Sequence, residues 1–157
     1  LTALLPLLLY LPSPFSFLQA QSSDAAIDDL VRMTDKEIAR LEREGRKIGR
    51  VEFGRISADS IAFSFREMHR GLGKWGNEYE IVAFASQSEV EDVDIFLLEM
   101  KDGEPQLIMQ NRSDLSTAKL HFFPAENKTY AVSLKGYGFK TDDQEAQFAI
   151  IVAYNNF

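Results

Sequence analysis

The chain has 157 residues, with 17 basic and 24 acidic side chains, a net charge of −7, two histidines and no cysteine. That length suits one ordinary domain with its own core, while the missing cysteines exclude thiol catalysis, zinc–thiolate sites and iron–sulfur clusters, and two histidines exclude a multi-histidine metal centre. The acidic balance disfavours nucleic acid as a partner, because a phosphate backbone is held by Lys and Arg.

Residues 1–20 contain no charged side chain. The apolar run Leu4–Leu11 is too short to span a bilayer, which takes about 20 apolar residues. Pro6 interrupts it, and Pro12 and Pro14 follow it. A short apolar core, helix breakers and a small residue before a polar stretch describe a secretory signal peptide cut after Ala20. No later stretch approaches spanning length, so the mature chain is expected to carry no membrane span and to be periplasmic or secreted. An exported chain without disulfides fits a bacterial envelope.

Residues 21–50 read as an amphipathic helical segment with seven acidic and seven basic residues. Ile27, Leu30, Val31, Ile38, Leu41 and Ile48 mark its apolar stripe. Thr34 and Glu37 match a capping box, which predicts a second helix start after Met33. Gly45 and Gly49 mark the exit. The stripe suits packing on its own domain, a spacer role, or pairing with another chain.

From Val51 the period becomes two. Alternation predicts strands at Ser60–Glu67, Glu78–Ala85, Val93–Met100, Gln106–Gln110, Ala118–Phe123, Thr129–Leu134 and Gln147–Tyr154. The strand at Glu78–Ala85 is apolar on both faces, and the register of Ile95, Leu97, Leu98 and Met100 predicts a small bulge. Turn chemistry falls at Gly71–Asn77, Lys101–Gly103, Arg112–Ser116, Pro124–Asn127 and Gly136–Asp143. Seven or eight short strands at a spacing of roughly ten residues predict an antiparallel, jelly-roll-like β-sandwich over residues 51–157, preceded by the helix. This segment holds 17 acids and 10 bases, and so carries all the net charge.

The order of its motifs carries a resemblance. A strand with Tyr79 is followed by Asp92-Val-Asp94-Ile, a turn at Asp102-Gly103, a strand ending at Pro124, and Thr129-Tyr-Ala-Val132. This resembles the bacterial pre-peptidase C-terminal domain over about Gly54–Tyr154. The resemblance implies a non-catalytic sandwich associated with export, surface retention or binding of a polymer. In that family the domain accompanies a peptidase; residues 1–50 here contain no such domain.

Three constellations offer chemistry. Glu89, Glu91, Asp92 and Asp94 supply oxygen ligands of the kind Ca²⁺ takes, although their spacing is not that of an EF-hand. Glu67, Glu78 and Glu80, near His69 and Trp75, are the carboxylates available for acid–base work, without the two-acid arrangement of a glycosidase. A nucleophile elbow and a phosphate-binding Gly-rich loop are both missing from the sequence. Trp75, with Lys74, Asn77 and Tyr79, makes a polar–aromatic patch on a Gly-rich loop, and Tyr137 is a further exposed-aromatic candidate. The expected function is a non-catalytic exported module binding a polysaccharide or an envelope protein, the alternatives being an assembly subunit or a small carboxylate hydrolase.

Overall fold

The computed structural model describes residues 14–71, 76–112 and 114–156. Helix α1 spans Pro14–Arg43, and eight strands follow: β1 Lys47–Ser57, β2 Ala62–Met68, β3 Asn77–Ala85, β4 Val90–Lys101, β5 Glu104–Asn111, β6 Thr117–Phe122, β7 Lys128–Phe139 and β8 Glu145–Asn156. They form two four-stranded antiparallel sheets, ordered β1-β8-β3-β6 and β2-β7-β4-β5, which makes the expected β-sandwich. Among the described residues, no helix is long and apolar enough to cross a membrane.

Two apolar layers explain the sequence pattern. Between the sheets lie Ile81, Ala83, Val93, Ile95, Leu97, Val132, Leu134, Phe148 and Ile150, with Ile56, Met68 and Leu120. On the outer face of the first sheet, Leu30 and Leu41 of α1 cover Val82, Phe84, Ala149, Ile151 and Ala153. Strand β3 is therefore apolar on both faces because one faces the opposite sheet and the other faces the helix. Leu30, Ile38 and Leu41 of the helical stripe pack on their own domain.

The helix begins at Pro14, ahead of the expected start at residue 21, and departs from expectation at two further points. It runs through Met33 and Thr34 without a break. The Thr34 hydroxyl donates to the Leu30 carbonyl at 2.8 Å, so it bonds back into the same helix and caps no new one. It also stops at Arg43, well before Arg50. Gly45 adopts φ +78°, Gly45 N–H donates to Glu42 O, and Arg46 N–H donates to Leu41 O, each at 3.0 Å. These are the paired bonds of a Schellman motif, which ends the helix and turns the chain into β1. Residues 47–50 are therefore strand, and Gly49 belongs to a bulge between Ile48 and Arg50.

The bulge expected near Leu97 and Leu98 is present, but the extra residue lies on the partner strand. Leu97 pairs with Met109 and Leu98 with Leu107, which leaves Ile108 of β5 over, while β4 runs in unbroken register against β7. Strand β7 also continues past Leu134 into the expected loop: Gly136, Tyr137 and Phe139 pair with Val93, Asp92 and Val90.

Candidate functional site

One end of the sandwich opens into a cleft of about 540 Å³ lined by Gly49, Arg50, Arg66, Glu67, His69, Asn77, Tyr79, Val152 and Tyr154. Four strands converge there. β1 contributes its bulge, β2 its C-terminal end, β3 its first residues and β8 its last ones. The Tyr79 and Tyr154 rings stand 5.8 Å apart at 32°, both backed by the inter-sheet core. Gly49 passes beside Tyr154: a Cβ at this position would lie 3.5 Å from Cδ1 and Cε1 of the ring.

Backbone bonds hold the rim. His69 N–H donates to the Tyr79 hydroxyl at 2.9 Å, and Asn77 Nδ2 donates to the His69 carbonyl at 3.0 Å. Asn77 N–H donates to Arg70 O at 2.5 Å, and Arg70 N–H donates to Asn127 Oδ1 at 2.8 Å. These bonds close the neck of the segment between Arg70 and Asn77. Gly76, at φ +77°, sits in that neck, where a Cβ would come within 2.7 Å of the Arg70 carbonyl.

Beneath the cleft, Glu52 gathers its cations. Arg50 pairs with it at 2.8 Å, and the Arg66 guanidinium and Ser64 hydroxyl also reach it. Burial works to raise the Glu52 carboxyl, but the Ser64 hydroxyl and the Arg66 and Arg50 guanidiniums outweigh it and hold the group below its ordinary value. The cleft thus combines two aromatic rings with planar polar groups: a carboxylate at Glu67, an imidazole at His69, an amide at Asn77 and a guanidinium at Arg50. That composition suits a small polar ligand with an apolar face.

Of the residues singled out in the sequence, Asn77, Tyr79, Glu67 and His69 come together here, whereas Lys74 and Trp75 lie outside the described residues. Tyr137 does not join them. It stands near the far end of β7, opposite Asp92, with Lys135 Nζ 4.9 Å from its ring centroid. Glu78 and Glu80 are also elsewhere, on the helix-covered face of β3. Glu80 is 2% exposed and pairs with Arg40 and Arg46, and Glu78 pairs with Arg46 and His121, both at 3.0 Å. Their alternation with Tyr79 and Ile81 reads as a solvent-facing strand edge, but the pairing places them under the helix and turn, and they do not stand across a cleft from Glu67.

The acidic turn is dispersed as well. Glu89 is buried and accepts the Gln147 N–H at 2.7 Å, while Asp92 and Asp94 lie in β4. Burial raises the Asp92 carboxyl, and the neighbouring Asp94 and Asp114 raise it further. Among the described residues, no three His, Asp or Glu side chains gather to hold a metal ion.

Comparison with protein-family models and with curated proteins finds no match. The cleft residues missed in the sequence are Gly49, Arg50, Arg66, Val152 and Tyr154. The signal for Tyr154 was present, since it closes an alternating strand. Its neighbour Gly49 was hidden in a segment read as helix.

Proposed function

We propose that this chain is an exported, non-catalytic binding module that takes a saccharide unit of an envelope or extracellular polysaccharide in the cleft lined by Tyr79 and Tyr154. The observation that carries the reading is the cleft itself, where a supported aromatic pair meets polar groups from four strands. Sugar rings offer an apolar face to an aromatic ring and hydroxyls to planar side chains, so both halves of the cleft are used. Export rests on the sequence of residues 1–20, and the resemblance to pre-peptidase C-terminal domains points the same way. The separation of Glu67 from Glu78 and Glu80 supports binding over hydrolysis.

The test is retention of the full chain on a panel of insoluble polysaccharides, followed by titration with oligosaccharides of the polymer retained. Tyr154→Ala is expected to weaken binding about tenfold or more, as loss of a central aromatic anchor does. His69→Ala removes an exposed imidazole while keeping the backbone bonds of the rim. It should weaken binding with no change in melting temperature. Retention of no polymer, or unchanged affinity in both variants, would exclude the reading.

A further inference from the structure

The two flanks of α1 differ in how their charges are used. Toward β3 and β6, Glu37, Arg40 and Glu44 pair with one another, and through Arg40 and Glu37 with Glu80 and Lys119. On the opposite flank, helical spacing aligns Asp24, Asp28, Asp35 and Glu42 with Ile27, Val31 and Ile38. Ile38 packs into the apolar layer that also takes Ile48 and Val51 of β1, so this flank lies toward the β1 edge of the sheet. Among the described residues, no ion pair takes up any of these four carboxylates. Two cations of β1 are already engaged, Arg50 by Glu52 at 2.8 Å and Arg55 by Glu145 at 3.4 Å.

Three large apolar side chains are exposed on the same shoulder. Ile27 and Val31 are 41% and 44% exposed, and Phe53, which pairs with the helix-covered Ala149, is 54% exposed. Exposed apolar residues scattered singly need no explanation. An apolar shoulder bordered by four unpaired carboxylates has the composition of an interaction surface.

We infer that this shoulder docks a cationic amphipathic helix of a partner protein. Its apolar stripe covers Ile27, Val31 and Phe53, and its Lys or Arg residues meet Asp24, Asp28, Asp35 and Glu42. The charge decides the occupant. A second copy would set one acidic border against another, and an anionic lipid surface would be repelled by the same carboxylates. The inference goes beyond the saccharide cleft and does not depend on it, because the two surfaces share no residue.

The test titrates the full chain with a labelled 18-residue peptide carrying Leu and Lys at helical spacing, beside the same peptide with Glu for Lys. Saturable binding of the Lys peptide and none of the Glu peptide is expected. Val31→Asn with Phe53→Asn should weaken it about tenfold or more, since both would be central apolar contacts. Asp28→Asn with Asp35→Asn should weaken it several-fold and flatten its salt dependence. Leu107→Asn, on the opposite sheet, and Tyr154→Ala in the cleft should leave it unchanged. Undiminished binding by the Val31 and Phe53 variant with native circular dichroism would overturn the inference, as would equal weakening by Leu107→Asn. A dimer of the chain that disappears in the Val31 and Phe53 variant would overturn the choice of occupant.

Discussion

Replacing Glu80 with alanine is expected to cost about 3–5 kcal/mol, the range seen when one partner of a buried ion pair is removed. Glu80 is 2% exposed and bonds the Arg40 guanidinium, while Arg46 Nε lies 2.8 Å from its other oxygen. Arg46 is itself only 9% exposed along its side chain, and its Nε and Nη1 have no well-aligned hydrogen bond. Its compensation is therefore chiefly charge. Without Glu80, the charge of Arg46 keeps only Glu78 near it. For a domain of this size the loss corresponds to a fall of about 10–15 °C in melting temperature. Glu80→Leu combined with Arg46→Met should recover most of it, because an apolar pair of similar volume removes both desolvation costs. Thermal melts of Glu80→Ala and of the Glu80→Leu, Arg46→Met double variant decide the matter. A Glu80→Ala melt within about 2 °C of wild type would show that the network contributes little.

The same network gives α1 a pH limit. Burial works to raise the carboxyls of Glu37 and Glu78, but their partners outweigh it and hold both below the ordinary value of 4.5: Arg40 and Lys119 for Glu37, His121 and Arg46 for Glu78. A carboxyl lowered by folding contributes its stability above the unfolded value and loses it as pH falls through the folded one. The melting temperature should therefore lose this contribution below about pH 4.5, and Glu37→Gln should shrink the acid-side fall. A fall of equal size in that variant would assign the acid sensitivity elsewhere.

The sandwich was legible because its signals are local. Alternation at Ile61–Arg66, Tyr79–Ala85 and Gln147–Tyr154 needs only a buried face, and Asp102-Gly103 needs only a tight turn. What failed depended on partners distant in sequence. Strand β1 was missed because its bulge at Gly49 breaks the alternation, and because Gly45 and Gly49 look alike as helix exits until the Schellman bonds at Gly45 are seen. Tyr137 reads as a loop residue from its two flanking glycines, yet pairing with Asp92 holds it in β7. Glu78 and Glu80 look like solvent-facing positions flanking Tyr79, because a sequence does not reveal that Arg40 comes down on Glu80 from a helix and Arg46 on both from the turn that follows it. Half of the cleft was visible in the segment from Glu67 to Tyr79. The other half arises where β1 and β8 meet it, and no local pattern marks that juncture.

Leu41→Ala tests whether the helix and the sandwich are one cooperative body. Leu41 is fully buried, in a cluster with Val82, Phe84, Ala149, Ile151 and Ala153, and truncating such a leucine costs about 2–5 kcal/mol. From the apolar stripe alone, Leu41→Lys would be expected to abolish association between chains. With Leu41 wholly enclosed by its own sheet, the same change places a charge in an apolar layer and acts on the fold. The helix rests on β3 and β8, whose opposite faces line the inter-sheet core through Ile81, Ala83, Phe148 and Ile150. Loosening α1 therefore removes support from the two strands that both layers share, and the loss should spread through the molecule. The expected result is a single urea transition, moved to lower concentration and reported at the same midpoint by helical circular dichroism and by tyrosine fluorescence. Two separated midpoints, with the helical signal lost first, would show instead that α1 is a layer the sandwich can shed.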